Sequence, residues 1–339
     1  TGYFSDGFDL PYIKTRAEKH RIKLDIGLDF SELKVKSGRE TIAAINGITH
    51  LDIFKFIKRV MGTTMETYSY DLDAVASELL DEKKHDVSLA ELPNAWDKND
   101  GLEKYCKYCL HDSYLTYNLA VKMLPTLIEI VKIIGIPMYD VNRMGFSQLV
   151  EWYIMKQAPN FNEIAPNKPG YNEVQRRRLQ TYQGAFVYEP RPGLYKDIVV
   201  FDFRSLYPTI IGSHNICPDM IDCECCKDAA QAINDGNEKH WFCMKRKGFI
   251  PVLIEDLITR RMRIKEIIKG ERDEKFMFLD ARQNSLKLLA NSFYGYLGFF
   301  GARWYSLESA RSVTAWGRLY IHKVIDKAQK EGFVVLYSD

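Results

Sequence analysis

The sequence lacks long apolar runs, internal repeats and any large excess of charge of one sign. No apolar stretch reaches the roughly 20 residues of a membrane-spanning helix, and no signal peptide is recognisable, so we expect a cytoplasmic protein. The chain of 339 residues contains 47 Lys or Arg and 45 Asp or Glu, which leaves a net charge of +2. This balance is too weak to indicate nucleic-acid binding by itself. The hydrophobic content of 46% suffices for more than one domain core.

The seven cysteines are unevenly placed. Cys106 and Cys109 are spaced as C-x2-C on a predicted helix, where ordinary thiols are expected. The other five lie close together in the sequence: Cys217, Cys223, Cys225, Cys226 and Cys243. Free thiols and a zinc site are both compatible with this group, although its spacing matches no standard zinc ribbon.

A single carboxylate, Asp202, interrupts the apolar run VVFDFRSLYPTII at residues 199–211. The β-branched and aromatic side chains of residues 198–203 predict a strand that is buried on both faces, with Asp202 at or near its end. An ionised carboxylate in low dielectric needs a partner, because it otherwise protonates. A divalent cation is one such partner, and capping of the next helix is the alternative.

A second group of polar residues follows in SLKLLANSFYGYLG, residues 285–298, which has a helical pattern. The spacing places Lys287, Asn291 and Tyr294 on one helix face. Positive charge, an amide and a ring suit a phosphate tail and a planar base, and Gly295 leaves room for a closely approaching strand. The alternative is an amphipathic core helix with a lysine that extends to solvent.

Three segments together carry a family resemblance. DFRSLYPTII at 202–211, KLLANSFYGY at 287–296 and VLYSD at 335–339 resemble motif A, motif B and the first half of motif C of family B DNA polymerases. GARWYS at 301–306 and VTAWGR at 313–318 are similar to the archaeal replicative members. Their order along the chain makes the resemblance specific.

The resemblance extends towards the first residues. TGYFSDGFDLPYI at 1–13 is similar to the second exonuclease motif, which makes Asp9 a metal-binding carboxylate; Phe4 stands where the family often has asparagine. YCLHD at 108–112 is similar to the third motif, which implies that Asp112 binds metal and that Tyr108 orients the attacking water.

The resemblance also implies the residues of a polymerase site. The expected ligands of two magnesium ions are Asp202, the carbonyl of Phe203 and Asp339, and the exonuclease site is expected to bind magnesium or manganese. The expected nucleotide-binding residues are Ser205, Leu206, Tyr207, Arg261, Lys265, Lys287, Asn291 and Tyr294. Tyr182 and Gly184, in YQGAFV at 182–187, are expected to contact DNA together with Gly295.

The implied fold class is α/β and α+β, with several domains. A ribonuclease-H-like 3'-5' exonuclease domain at 1–135 precedes a helical connector at 136–181, and a two-helix fingers domain at 249–297 is inserted between palm segments at 182–248 and 298–339. We expect a strand near 49–54, helices near 71–80, 102–123 and 143–157, and a strand at 333–337 that pairs with the Asp202 strand. The fingers helices would be joined by a turn near 270–273.

The expected activity is template-directed DNA synthesis with proofreading, on primer-template DNA and deoxynucleotides, by a protein without a membrane anchor. The family's second motif C carboxylate would lie two residues beyond Asp339, and its first exonuclease motif, N-terminal domain, thumb and expected sliding-clamp contact would also lie outside the chain. We therefore expect no primer extension by the 339-residue chain alone. An amplicon, an intein insertion point and a split gene are alternative origins for such ends.

Two other functions are alternatives to DNA synthesis. An editing-only nuclease is disfavoured by intact motifs A and B, and a structural polymerase relative is disfavoured by the presence of Asp202, Asp339 and Lys287.

By resemblance to archaeal relatives, Cys226 and Cys243 are the expected disulfide pair, whereas a reducing cytosol disfavours any disulfide.

Overall fold

The computed structural model describes all residues except 39, 63–64, 84–86, 237, 271–273 and 339, and the side chain of Glu274. The predicted carboxylate Asp339 and most of the predicted turn at 270–273 therefore lie outside the described residues. The chain divides into two compact units, Thr1–Gly145 and Phe146–Asp339. Within the described residues, no helix is both long enough and apolar enough to cross a membrane.

The first unit combines helices with a small sheet. Its elements are α1 (Asp9–Lys19), β1 (Lys34–Lys36), β2 (Ile42–Ala44), α2 (Ile53–Phe56), a π-helical turn (Ile57–Met61), α3 (Leu72–Leu80), a 3-10 turn (Leu89–Glu91), α4 (Leu92–Lys98), α5 (Leu102–Ile134) and α6 (Met138–Val141). Strands β1 and β2 pair antiparallel, with Lys34 opposite Ala44.

Local sequence explains the bounds of the two helices that were predicted here. Helix α3 begins at Leu72 and is capped by Asp71, whose carboxylate accepts a hydrogen bond from the N–H of Ala74 at 2.8 Å. Helix α5 begins after Gly101 and ends before Gly135, and both glycines adopt a positive φ that glycine tolerates. The predicted helices near 71–80 and 102–123 are confirmed, and α5 extends eleven residues further, to Ile134.

The strand predicted near residues 49–54 is wrong, because helix α2 begins at Ile53. Asp52 forms an isolated parallel bridge with Gly2, and Gly2 exchanges hydrogen bonds with Leu51 and Ile53, each at 2.9 Å. This bridge is isolated, so the described residues 49–54 form no strand.

The second unit is mainly helical in its described part. Its elements are α7 (Phe146–Gln157), a 3-10 turn (Ala158–Phe161), α8 (Tyr171–Arg178), α9 (Leu206–Ser213), a 3-10 turn (Glu224–Cys226), β3 (Ile233–Asn234), β4 (Lys239–His240), α10 (Phe249–Ile268), α11 (Glu274–Leu297) and α12 (Leu307–Lys330). The predicted helix near 143–157 is confirmed from Phe146 onwards.

Helices α10 and α11 pack against each other, and α7, α9 and α12 pack around this pair. Large buried side chains fill the contact, and Tyr153 of α7 meets Phe293 of α11 edge to face at 6.3 Å between ring centroids. Tyr296 and Trp316 are also almost fully buried. The predicted pair of helices is therefore present, and it forms the core of the second unit.

The predicted strand at 198–203 is wrong in the described structure. These residues form no ladder, and the side chains of Val200 and Phe201 are 85% and 80% exposed. The segment 333–337 is not a strand either, although Ser338 bridges to Tyr188. An apolar β-branched run becomes a buried strand only when neighbouring strands pair with it and a second layer covers it. The described residues provide neither here.

Candidate nucleotide and metal sites

A cavity of about 750 Å³ lies in the second unit, between the segment before α9 and the helices α9, α10 and α11. Nine predicted residues line it: Asp202, Phe203, Ser205, Leu206, Tyr207, Arg261, Lys265, Lys287 and Asn291. The lining also contains Arg204, Pro208, Met262, Glu266, Lys269 and Ile321. Residues from three separate sequence motifs thus share one concave surface.

The start of helix α9 forms one wall of this cavity. Ser205 precedes the helix with φ of 52°, a left-handed conformation that is uncommon for a residue other than glycine. Thr209 holds the turn, because its side chain donates a hydrogen bond to the Arg204 carbonyl at 3.0 Å and its N–H donates to the Ser205 carbonyl at 2.9 Å. The first N–H groups of a helix have no intrahelical acceptor, and they suit an anion.

Arg261 connects helix α10 to the start of α9 and to α11. Its guanidinium donates to the Ser205 hydroxyl before α9 and to the Gln283 side-chain carbonyl of α11, each at 3.4 Å. Burial and the neighbouring charge of Arg204 lower the pKa of Arg261. Two guanidinium groups held close together stabilise a bound anion.

The charge of the lining is predominantly positive. Five basic side chains face two acidic ones, Asp202 and Glu266. Glu266 is already paired with Lys269 at 2.9 Å. The basic side chains of the lining outside this ion pair are therefore Lys265, Lys287 and the two arginines.

Three tyrosines meet at the wall of the cavity that Tyr207 lines, and we call Tyr182, Tyr207 and Tyr294 the tyrosine cluster. The rings of Tyr207 and Tyr294 lie 4.6 Å apart between centroids, and the hydroxyls of Tyr294 and Tyr182 are 2.9 Å apart. Burial, followed by the hydrogen bond with Tyr182, raises the pKa of Tyr294. Tyr294 is therefore a packing partner of Tyr207 and is not among the residues that line the cavity.

Helix α12 contributes residues that the sequence analysis did not assign to the site. A Cβ added at Gly317 would lie 3.1 Å from Cε1 of Tyr207, so the glycine makes room for that ring. Arg318 donates to the carbonyls of Gln183 at 3.1 Å and Gly184 at 2.8 Å. In the sequence, the motif VTAWGR indicated only a similarity to archaeal members. Its glycine and its arginine were the residues from which a role near the site was predictable.

The predicted DNA-contacting glycines are unobstructed. A Cβ added at Gly184 or Gly295 would meet no atom within 4 Å in the described structure. This leaves space for a closely approaching strand, as predicted for both positions, and their contact with DNA stays a prediction.

Asp202 is exposed, so the expected buried carboxylate is wrong. It also does not cap α9, which begins after Ser205 and has no side-chain cap. The donor chemistry nevertheless fits magnesium, because the carboxylate of Asp202 and the segment of Phe203 both border the cavity and offer hard oxygen ligands.

The predicted exonuclease residues lie in the first unit. Asp9 is exposed and is the first residue of α1. Tyr108 and Asp112 are half-buried and lie one turn apart on α5. Phe4 adopts φ of 58°, the left-handed region in which asparagine is better tolerated than phenylalanine. The shared role of these residues in metal binding stays a prediction.

Two buried carboxylates that the sequence analysis did not assign hold the loop before Asp9. Asp52 accepts hydrogen bonds from the N–H groups of Phe4 at 2.9 Å and Asp6 at 3.1 Å. Asp6 is paired with Arg143 at 2.8 Å and Lys55 at 2.7 Å. Burial tends to raise the pKa of Asp6, but the hydrogen bonds from Arg143 and Lys55 outweigh it and lower the pKa.

The cysteines are all free thiols. Cys106 and Cys109 are exposed on α5, as expected for ordinary surface thiols. The sulfurs of Cys226 and Cys243 lie 4.0 Å apart, about twice the roughly 2.05 Å of a disulfide bond. The structure therefore contains no disulfide between Cys226 and Cys243, which was one of the alternatives left open by the sequence.

Comparisons with known proteins agree with these motifs. The family model for the exonuclease domain of DNA polymerase family B matches residues 1–75, and the model for DNA polymerase family B matches residues 136–337. DNA polymerase 1 of Pyrococcus abyssi is 42% identical over 340 residues, which cover 99% of this chain and 43% of that protein. The DNA polymerase of Thermococcus gorgonarius is 40% identical over 341 residues, with the same coverage.

A solved structure is similar as well. The family B DNA polymerase from the hyperthermophilic archaeon Pyrobaculum calidifontis matches with a TM-score of 0.81 and 30% identity, over 100% of this chain and 44% of that one. The chain thus spans less than half the length of the relatives it matches. The resemblance inferred from the motifs is confirmed, and the chain belongs to DNA polymerase family B.

Proposed function

We propose that the protein is a DNA-directed DNA polymerase that transfers deoxynucleotides to a primer 3'-hydroxyl and carries a 3'-5' proofreading exonuclease. The observation that carries the proposal is the cavity, because it joins residues of motif A, motif B and helix α10 around an excess of positive charge. A triphosphate with a divalent cation matches that surface in charge and in donor type.

In the proposed mechanism, the chain positions the nucleotide and neutralises its charge. Arg261, Lys265 and Lys287 bind phosphate oxygens, Asn291 donates from its amide, and the N–H groups of Ser205 and Leu206 complete the cradle. Asp202 and the carbonyl of Phe203 would hold magnesium. When bound, magnesium supplies charge neutralisation for phosphoryl transfer.

Substrate choice is proposed to depend on the tyrosine cluster. Tyr207 lines the cavity while its ring packs on Tyr294. A ring fixed in this way excludes a sugar 2'-hydroxyl sterically, so the proposed substrates are deoxynucleotides. Primer-template DNA would run past Tyr182, Gly184 and Gly295.

The finer organisation is part of the same proposal. We assign residues 1–135 to the exonuclease, 136–181 to the connector, 182–248 and 298–339 to the palm, and 249–297 to the fingers. Asp9, Asp112 and Tyr108 would serve the exonuclease with magnesium or manganese. In the complete protein, a sliding clamp is the proposed processivity partner.

Nucleotide binding by the 339-residue chain tests the polymerase assignment. We expect Arg261→Ala and Lys287→Ala each to weaken binding of a deoxynucleoside triphosphate with magnesium by about 10-fold or more, because a charge-assisted hydrogen bond contributes roughly 1.5–3 kcal/mol. Isothermal titration calorimetry measures the change.

Arg260→Ala is the matched control, since Arg260 is next in sequence but is exposed and paired with Asp256 at 2.8 Å. It should bind the nucleotide as the wild type does. No binding by the wild type, or equal losses in the Arg260 and Arg261 variants, would contradict the proposal. An editing-only nuclease or a structural relative predicts such a result.

A further inference from the structure

Four cysteines of the second unit converge on one point. The sulfur atoms of Cys223, Cys225, Cys226 and Cys243, which we call the four-cysteine cluster, all lie within 4.8 Å of one another. The sulfur of Cys225 is 3.7 Å from that of Cys226 and 3.7 Å from that of Cys243, and the sulfurs of Cys226 and Cys243 are 4.0 Å apart.

These separations match the edges of a metal-thiolate tetrahedron. Zinc–sulfur bonds of about 2.3 Å at tetrahedral angles place neighbouring sulfurs about 3.8 Å apart. A disulfide requires about 2.05 Å between two sulfurs, and it would leave the other two cysteines without a role. The observed sulfur–sulfur spacing is therefore that of thiolates around one central metal ion.

The backbone brings these sulfurs together from two segments. The 3-10 turn Glu224–Cys226 carries two of the cysteines. A bridge between Ile221 and Phe242, and a 2.9 Å hydrogen bond from the Cys243 N–H to the Met220 carbonyl, bring the second segment alongside. The sulfurs come together because residues about 20 apart in the sequence are hydrogen-bonded to one another. Their proximity is therefore a property of the fold.

Backbone donors point at the sulfurs, as a thiolate requires. The N–H of Met244 donates to the sulfur of Cys226 at 3.3 Å. The N–H groups of Arg246 and Lys245 donate to the sulfur of Cys243 in the same way. Hydrogen bonds of this kind stabilise the deprotonated sulfur, which is the form that binds metal.

We propose that the four-cysteine cluster binds one zinc ion. Four soft thiolate ligands complete a tetrahedral shell and leave no position open for water or substrate, which is typical of a structural zinc site. The site would be separate from the magnesium-type oxygen ligands of the cavity.

The position of the cluster indicates what the metal would stabilise. Asn215 donates to the carbonyls of Cys243 at 2.7 Å and Arg246 at 2.8 Å, and its own side-chain carbonyl accepts from the N–H of Gly248 at 2.7 Å. Helix α10, which carries Arg261, begins at the next residue, Phe249. Zinc would thus fix the segment from which α10 projects.

Metal analysis of the 339-residue chain, purified under reducing conditions, tests the proposal. We expect stoichiometric zinc by mass spectrometry in the wild type, and its loss in Cys225→Ser and Cys243→Ser. Cys225 is exposed, so its substitution leaves the core of the unit in place. The matched control is the double variant Cys106→Ser, Cys109→Ser, which removes the exposed thiols of α5 and should retain zinc.

Cobalt substitution gives a second measurement that does not depend on a folded variant. The wild type loaded with cobalt should show the intense visible absorption of tetrahedral cobalt thiolate. A metal-free chain with four reactive thiols, or with two thiols lost on oxidation and no bound zinc, would overturn the proposal. Iron in place of zinc would overturn the assignment of the metal, and zinc lost in the α5 variant would overturn its location.

Discussion

His50 illustrates how burial sets the protonation of a single residue. Its ring lies 3.0 Å from the Ser5 hydroxyl and 3.6 Å from the carboxylate of Asp6. Burial is the largest influence and lowers the pKa of His50 to about 4, Asp6 partly opposes it, and Arg143 adds to it. The folded chain therefore holds a neutral imidazole where an unfolded chain, with a pKa of about 6.5, accepts a proton.

This difference predicts a pH dependence of stability. Between about pH 6.5 and about pH 4 the unfolded state binds more protons at His50 than the folded state. Stability of the first unit should therefore fall as the pH falls through that window. Hydrogen exchange of peptides from residues 1–62, measured across that range, gives the local free energy of opening.

His50→Gln should flatten the dependence, because glutamine does not titrate. The control is His20→Gln, since His20 is exposed at the end of α1, and it should keep the wild-type profile. Equal profiles for the wild type and His50→Gln would contradict the assignment. Asp6 acts at lower pH: its pKa is lowered, so its stabilisation is present above the ordinary aspartate pKa and is lost as the pH falls below it.

At the scale of elements, helix α12 anchors an irregular segment that borders the candidate DNA path. Thr314 donates to the Gln183 carbonyl at 3.0 Å, and Arg318 donates to the carbonyls of Gln183 and Gly184 and to that of Asp235 at 3.3 Å. The segment has no ladder at Gln183 and Gly184. These side-chain donors replace the missing strand partners.

Arg318→Ala should loosen this segment while α12 remains helical, because alanine favours helix but offers no donor. We expect faster proteolysis near residues 181–187, and limited proteolysis with mass mapping measures it. Lys327→Ala changes an exposed charge on the same helix and should leave the cleavage rate unchanged. An unchanged rate in Arg318→Ala would show that the donors do not hold the segment.

At the scale of the whole molecule, the chain consists of two compact units, Thr1–Gly145 and Phe146–Asp339. Each contains fully buried apolar side chains, such as Phe56 and Leu115 in the first and Phe293 and Trp316 in the second. The exonuclease family model lies within the first unit, at residues 1–75, and the polymerase family model, at residues 136–337, covers most of the second. Units with separate cores unfold in separate transitions.

Calorimetry of the 339-residue chain should therefore resolve two transitions. Lowering the pH from about 6.5 to about 4 should shift the transition of the first unit, through His50. Cys243→Ser should shift the other one, since it removes a buried ligand of the four-cysteine cluster. A single transition that responds to both changes would contradict the prediction.

The sequence by itself determined the family, helices α10 and α11, and nine of the cavity residues. The family and most of these cavity residues followed from the resemblance of the motifs, whereas local periodicity alone places Lys287 and Asn291 on one helix face before any packing is considered. Spacing also predicted a stripe that includes Tyr294, but packing turned that ring towards Tyr182 and Tyr207.

Only the tertiary structure decided contacts between distant residues. The pairing of Asp6 with Arg143 spans 137 residues, and that of Arg318 with Gly184 spans 134. The exposure of Phe201 and the convergence of Cys243 on Cys225 likewise depend on which neighbours are present. Burial and coordination are properties of the space around a residue, which packing creates and the local pattern of a sequence does not contain.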